Sequence, residues 1–224
     1  QLADETYSNP VSNYTSRDQL SKEINVLFRQ QPLLVGLSCQ LPELGDFLTF
    51  DYTGVPLLVV RGQDGTVRSF LNVCRHRGAR VAEGYGNARK RFRCPYHGWN
   101  YDIDGKLVGM PDKQSFAGVD RSACDLVPMP VAESDGMIWT CATPAATRVK
   151  STKLDIQEQL AGLGPELRSY NVANYHHYAS RALYLKMNWK LVIDTFLEPY
   201  HFGVLHKNSI SPIFFSNLMI YGTS

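Results

Sequence analysis

The sequence predicts an α+β protein, in which an antiparallel β-domain is followed by a second domain that carries helices. Three observations lead there. Pro32 to Trp139 is a succession of short β-prone runs punctuated by Asp-Gly and similar turn signals. Helical spacing of apolar residues appears on either side of that stretch, within 17–31 and within 154–163. Pro144 to Lys153, rich in Ala, Thr, Pro and Lys, reads as a linker and is the best domain boundary. At 224 residues, with 44% hydrophobic and 20% charged residues, the chain has a globular composition and room for one large domain or two ordinary ones.

In chain order, Leu20, Ile24, Leu27 and Phe28 fall on one helical face, and Pro32 ends that helix. Phe47–Tyr52, Leu57–Val60 and Thr66–Val73 read as strands, with Asp64-Gly65 a hairpin turn between the second and third. Trp99–Ile103 and Lys106–Val108 flank a second such turn, Asp104-Gly105, and Met137–Cys141 follows Asp135-Gly136. Beyond the linker, Leu154–Leu163 predicts a helix stopped near Gly162, Gly164 and Pro165. Val172–Met187 alternates as one or two strands would. The neighbouring His176 and His177 then point to opposite faces, as structural or surface residues rather than a pair of ligands.

The chemistry is concentrated between Asn72 and Trp99. Cys74 and His76 form a C-x-H pair, Cys94 and His97 a C-x-x-H pair, with seventeen residues between the two. Each loop offers one thiolate and one imidazole, which suits a [2Fe–2S] cluster with two cysteines on one iron and two histidines on the other, the Rieske arrangement. Neutral imidazoles leave that cluster less negative than four thiolates would, so its potential rises. Structural zinc is the alternative, but zinc patterns keep the cysteines together and the histidines together, whereas here they alternate. Gly78 and Gly98 allow unusual backbone angles close to the sulfurs. Pro95 stiffens the second loop, and Tyr96 and Trp99 serve either as packing or as shields against water.

Composition excludes several classes. A net charge of +2 argues against wholesale nucleic-acid binding. No run approaches the roughly 18 apolar residues of a membrane span. Gln1–Arg17 is polar and lacks the apolar core of a signal peptide, so the cytoplasm is the expected location. Cys39, Cys124 and Cys141 are an odd remainder, which argues against a secreted disulfide scaffold. Arg75, Arg77, Arg80, Arg89, Lys90, Arg91 and Arg93 crowd the Cys/His loops. They are either a solvated spacer or a docking face for an acidic electron carrier.

A second candidate site lies in Asn188–His206, where Asp194 and Glu198 precede His201 and His206. On a regular helix two histidines five apart differ by about 140° in azimuth and cannot share a ligand. They converge only if the helix is bulged or broken between them, where Gly203 sits; a π-bulge is one way. Two imidazoles and a carboxylate with open positions form the facial triad of non-haem iron(II) oxygenases.

The motifs C-x-H-R-G (Cys74–Gly78), C-P-Y-H-G-W (Cys94–Trp99), N-W-K (Asn188–Lys190) and E-x-Y-H-x-x-x-x-H (Glu198–His206) together resemble the α-subunit of Rieske non-haem iron oxygenases, the aromatic-ring-hydroxylating dioxygenase family. The surroundings of Gly45-Asp46-Phe47 and Asn72-Val73 fit as well. The resemblance implies a Rieske [2Fe–2S] domain at 33–143 and a helix-grip catalytic domain, formed by 1–32 and 151–224, that continues beyond this chain. It implies that Cys74, His76, Cys94 and His97 hold the cluster, that His201 and His206 hold a mononuclear Fe(II), and that the third iron ligand is a carboxylate further downstream. Glu198 takes the place of the family's bridging carboxylate, which links a cluster histidine, here His97, to an iron histidine, here His201, across a subunit boundary. Glu at this position occurs in relatives that resemble carnitine oxygenase. Asp194 is expected close to the iron, in a supporting or a capping role. The resemblance further implies a reductase or ferredoxin partner fed by NAD(P)H, and a homotrimer with or without β-subunits. The reaction expected is O2-dependent hydroxylation, dihydroxylation or demethylation of a small organic substrate, as in aromatic hydrocarbon catabolism. A Rieske protein that only transfers electrons explains Cys74–His97 equally well but leaves the N-W-K and Y-H-x-x-x-x-H matches as coincidence.

Overall fold

The computed structural model describes residues 8–144 and 154–214, so most of the predicted linker and residues from Phe215 onward lie outside the described residues. The chain divides into two compact units, one of residues 22–179 and one that combines 1–21 with 180–224. Among the described residues no helix is long and apolar enough to cross a membrane.

The larger unit is built on three antiparallel sheets. Strands β1 (Leu33–Leu37), β2 (Asp46–Phe50), β3 (Leu57–Arg61), β4 (Val67–Leu71), β5 (Tyr85–Asn87), β6 (Arg91–Arg93), β7 (Asn100–Asp102), β8 (Leu107–Gly109), β9 (Pro128–Met129), β10 (Val131–Ser134) and β11 (Met137–Thr140) follow in order. They form a five-stranded sheet β5-β2-β3-β4-β9 and two three-stranded sheets, β1-β11-β10 and β6-β7-β8. The central strand β3 explains itself from sequence. Leu57, Leu58, Val59 and Val60 form a continuous apolar run, and all four are buried. Leu58 and Val60 face a core shared with Phe70, Phe92, Trp99, Tyr101, Ile103 and Leu107. Val59 faces a second core with Leu41, Leu48 and Ile138. Each such side chain contributes roughly 1.5–3 kcal/mol on burial. The first core also contains Cys74 and Cys94, so the metal-loop sulfurs are rooted in the hydrophobic centre of the unit.

The three Asp-Gly turns fall where the sequence predicts. Gly65, Gly105 and Gly136 have φ of 78°, 84° and 81°. At the last turn Asp135 is also positive, at 53°, the type I′ combination that matches strand twist. At Gly105 a Cβ would lie 2.4 Å from the Phe70 ring, so glycine is needed for space as well as for angle.

Three expectations need correction. The helix expected over 17–31 is α-helical only in α2 (Arg17–Glu23), which follows a short α1 (Ser12–Thr15); Ile24–Phe28 then continues as a π-helical turn before Pro32. The helix expected over Leu154–Leu163 is the single turn α3 (Ile156–Gln159), capped by Asp155 Oδ1, which accepts from the Glu158 amide at 3.1 Å. It ends where Ala161 and Gly162 turn to φ of 45° and 100°. Gly164-Pro165 does not stop a helix but opens the next one, α4 (Gly164–Ser169), because proline at the first helical turn forfeits no hydrogen bond. Finally, Val172–Met187 contains no strand: a 3₁₀ turn at Val172–Asn174 is followed by irregular chain. Among the described residues no strand pairs with it, and Tyr178, Leu183 and Tyr184 are exposed. Alternation supplies two faces, but a strand also requires a ladder partner.

In the smaller unit, α5 (Trp189–Phe196) is capped by Asn188, whose Oδ1 accepts from the Lys190 amide at 3.0 Å. Leu197 ends it and Pro199 opens a separate 3₁₀ turn, Tyr200–Gly203. The α-helix therefore ends ahead of His201, and the 3₁₀ turn in its turn ends at Gly203, between the two histidines, as expected of a break there; no π-helical turn is involved.

Candidate metal centres

The two Cys/His loops have the same backbone. The amide of Cys74 donates to the carbonyl of Ala79 at 2.8 Å, and that of Gly78 donates to the carbonyl of Cys74 at 2.9 Å. In the second loop Cys94 donates to Trp99 at 2.8 Å and Gly98 to Cys94 at 3.0 Å. Each loop turns back through a left-handed glycine, Gly78 at φ 74° and Gly98 at φ 68°. Around Gly98 the fit is tighter, since a Cβ would meet Pro111 at 3.3 Å and the Arg93 guanidinium at 3.4 Å.

These turns bring all four predicted residues of the first site together. Cys74 and Cys94 are buried, and the His76 and His97 rings lie 4.6 Å apart. His76 is stacked on Trp99, ring centres 4.9 Å apart and planes within 6°, with Phe116 edge-on at 5.8 Å. His97 is exposed, and Tyr96 lies against it at 3.9 Å. Of the two aromatics, Trp99 is thus the buried shield, while Tyr96 stays open to water.

Two residues supporting this site are easily missed in the sequence. Tyr101 is fully buried, and its hydroxyl accepts from the Arg75 amide at 3.0 Å while lying 3.4 Å from Cys74 Sγ. Asn72 is also buried; its Oδ1 accepts from the amides of Val81 and Ala82, and its Nδ2 donates to the Ala82 carbonyl. It therefore cross-links the strand that enters the first loop to the chain that leaves it. The available signals were the inward period-2 position of Tyr101 after Trp99 and the place of Asn72 just ahead of the first cysteine.

The donor set fits a Rieske cluster on the evidence of its own unsatisfied chemistry. His76 Nδ1 is buried and has no hydrogen-bond partner, an arrangement that costs free energy unless something binds there. Burial pushes the Cys74 thiol up, so a thiolate there calls for a neighbouring positive charge such as a metal. Burial first, then the charge of His97, holds His76 down, which favours the neutral imidazole that ligates metals. Among the described residues no three His, Cys, Asp or Glu side chains gather closely enough to hold a single metal ion. A [2Fe–2S] cluster with two protein ligands per iron does not require such a triple.

At the second site, the His201 and His206 rings approach to 5.3 Å. The turn that achieves this runs through bonds from Leu205 to the His201 carbonyl and from His206 to that of Phe202. Glu198 holds it twice: Oε2 accepts from the His201 amide at 3.2 Å, and Oε1 pairs with His201 Nδ1 at 2.6 Å. That contact, chiefly the His201 hydrogen bond, keeps the Glu198 carboxyl below its ordinary range. Asp194 is directed elsewhere, with Oδ2 accepting from the Tyr14 hydroxyl at 2.7 Å. His176 and His177 are exposed and lie in irregular chain just after the 3₁₀ turn Val172–Asn174. The seven basic residues around the first site are all exposed, and Arg80 pairs with Asp51 at 2.8 Å.

Comparisons with known proteins agree with this geometry. Residues 31–129 match the family model of the Rieske [2Fe-2S] domain, and residues 172–223 match that of the ring hydroxylating alpha subunit (catalytic domain). The chain is 31% identical over 209 residues to the carnitine monooxygenase oxygenase subunit of Escherichia coli K12, covering 90% of this chain and 53% of that protein. It is 31% identical over 209 residues to the glycine betaine monooxygenase oxygenase subunit of Chromohalobacter salexigens, covering 92% and 45%. Among solved structures, the quaternary ammonium Rieske monooxygenase CntA in complex with L-carnitine superposes with a TM-score of 0.82 at 26% identity, over 91% of this chain and 56% of that one. The chain thus spans about half the length of the curated relatives it matches. With a Rieske domain followed by part of a ring-hydroxylating catalytic domain, the chain belongs to the family of Rieske non-haem iron oxygenase α-subunits.

Proposed function

We propose that this chain is part of the terminal oxygenase component of a Rieske-type oxygenase that acts on a small quaternary ammonium compound. Cys74 and Cys94 hold one iron of the cluster and His76 and His97 the other, while His201 and His206 supply two ligands of a mononuclear Fe(II). When bound, these groups relay electrons and activate O2. The protein's part is to keep the sulfurs dry, to orient the imidazoles and to place a proton acceptor between the centres. Glu198 is that acceptor. Its bond to His201 Nδ1 fixes the ring and leaves Nε2 as the nitrogen that would ligate a metal, and Oε2, which accepts from the His201 amide, keeps a lone pair that could meet a cluster histidine of a neighbouring subunit.

The observation that carries this reading is the 2.6 Å pairing of Glu198 with a histidine whose ring converges on a second histidine, in a chain that also holds the Cys/His loops. A protein that only transfers electrons has no use for that turn. The quaternary ammonium class is supported by the relatives that act on carnitine and glycine betaine. It is supported further by Phe202, which lies 4.8 Å from His201 and 5.5 Å from Phe214 and so offers aromatic faces to a cation. A cytoplasmic homotrimer, with or without β-subunits, goes with an inter-subunit bridge. The basic face from Arg75 to Arg93 suits an acidic reductase or ferredoxin fed by NAD(P)H.

The test is Glu198→Ala in the full-length protein. Iron and acid-labile sulfide per chain should stay at wild-type values, and dithionite should still give a Rieske EPR signal, but reduced cluster should no longer be oxidised when substrate and O2 are added. Wild-type turnover in the variant would sink the bridging role. Iron no higher than the cluster requires, in wild-type protein supplied with Fe(II), would favour the electron carrier instead.

A further inference from the structure

We infer that Tyr14 is a positioning residue for the mononuclear site, through which the N-terminal segment 9–15 fixes helix α5 and the histidine turn that hangs from it. This rests on the mononuclear-iron reading above. Tyr14 grips α5 at two places. Its carbonyl accepts from Asn188 Nδ2 at 2.9 Å, at the helix cap, and its hydroxyl donates to Asp194 Oδ2 at 2.7 Å, six residues on. Six residues of α-helix rise about 9 Å, close to the span of a tyrosine from carbonyl to hydroxyl, so the residue lies along the helix as a splint. The Lys190 ammonium sits 5.9 Å from the Tyr14 ring centre and 5.2 Å from that of Trp189, covering the splint from the side.

The hydroxyl's direction is set by its other partner. Asn9 Nδ2 donates to the same oxygen at 2.6 Å, and Asn13 Nδ2 in turn donates to Asn9 Oδ1 at 2.6 Å. With its lone pair occupied by Asn9, the phenol proton is free for Asp194, and a hydroxyl bonded to a carboxylate is among the stronger hydrogen bonds available. Asn13, Asn9, Tyr14 and Asp194 thus form one directed chain from segment 9–15 to the last turn of α5. Asp194 stands one turn before Glu198, and only the four residues Leu197, Glu198, Pro199 and Tyr200 separate the end of that helix from His201. The turn carrying Glu198, His201 and His206 therefore takes its orientation from a helix that Tyr14 holds at both ends. Asp194 serves in this scheme as the anchor of the N-terminal segment, not as a metal ligand.

The experiment uses the full-length protein with intact cluster, stripped of mononuclear iron and titrated with Fe(II), in wild type, Tyr14→Phe, Asp194→Ala and the double variant. Nitric oxide is added to the Fe(II) forms as a spectroscopic probe, since the rhombicity of the EPR signal of the adduct reports ligand geometry. Tyr14→Phe keeps the ring and loses the splint's distal bond. It should weaken Fe(II) binding about tenfold and shift the rhombicity of the nitric oxide adduct, as loss of an outer support does at metal sites. The double variant should be no worse than Asp194→Ala alone, because the two residues act through one contact. Wild-type Fe(II) affinity and an unchanged adduct signal in Tyr14→Phe would overturn the inference, even if thermal stability fell. So would additive losses in the double variant. If wild-type protein takes up no Fe(II) beyond its cluster, the mononuclear-iron reading itself fails, and the inference falls with it.

Discussion

Tyr101→Phe removes the hydroxyl beside Cys74 and reads its loss as a voltage. The phenol oxygen is occupied by the Arg75 amide at 3.0 Å, which leaves its proton directed at Cys74 Sγ, 3.4 Å away. Both residues are buried, so water cannot replace the bond when it is removed. A hydrogen bond to an ionised group contributes about 1.5–3 kcal/mol, and the sulfur carries more negative charge once the cluster is reduced. If about 1 kcal/mol of that distinguishes the two redox states, at about 59 mV per 1.4 kcal/mol the one-electron potential falls by roughly 40 mV. The variant also loses the bond from the partly buried Arg75 N–H, at about 0.5–1.5 kcal/mol of stability. The measurement is a redox titration of the purified protein followed by EPR, with denaturant unfolding alongside. The hydroxyl would not be a donor to the sulfur if the variant kept the wild-type potential while its cluster signal was intact. A rise in potential would mean that the sign of the argument is wrong.

Two further substitutions separate angle from space at the metal loops. Gly78→Ala meets only Val73 at 3.9 Å, so it should cost the left-handed penalty alone, about 1–2 kcal/mol; Gly98→Ala must also displace Pro111 and Arg93 and should cost more. Unfolding midpoints of the two variants should therefore rank Gly98→Ala below Gly78→Ala, and the reverse order would refute the packing account. The Glu133 carboxylate makes a paired contact with Arg61, at 2.7 and 2.8 Å, and that contact holds its carboxyl below the ordinary range. A depressed carboxyl contributes stability above the ordinary carboxylate value and loses it as pH falls through the depressed one. Glu133→Gln should thus cost about 1 kcal/mol at neutral pH, and the gap to wild type should close in acid, as denaturant curves at pH 7 and below about pH 4 would show.

What could be read from the sequence was local. Cys74, His76, Cys94 and His97 are each within a few residues of a glycine that closes their own loop, so spacing alone carries the ligand set. The Asp-Gly turns are local in the same way. Where a neighbour far along the chain decides, the reading failed. Val172–Met187 has the alternation of a strand but no ladder to join, whereas the charged Arg91–Arg93 and the glycine-centred Tyr85–Asn87 are strands because β7 and β2 offer them edges. The helix at 17–31 was legible as helical periodicity, but its change of pitch at Ile24 left no mark in the residues. Tyr14 was invisible for the same reason, since its partners, Asn188 and Asp194, lie more than 170 positions away.

The two Cys/His loops are one turn used twice, with the imidazole hung from a different rung each time. Each closes on itself through the same two amide bonds, but His76 stands two residues after its cysteine and His97 three, so the rings leave a common frame from different positions. One ring is sandwiched under an indole and the other stands in solvent. The lopsidedness of the centre, with one sheltered face and one open to solvent, is therefore written both in the rung each histidine takes and in the surrounding walls. An engineer wishing to retune it has two separate handles, the spacing within a loop and what packs against it.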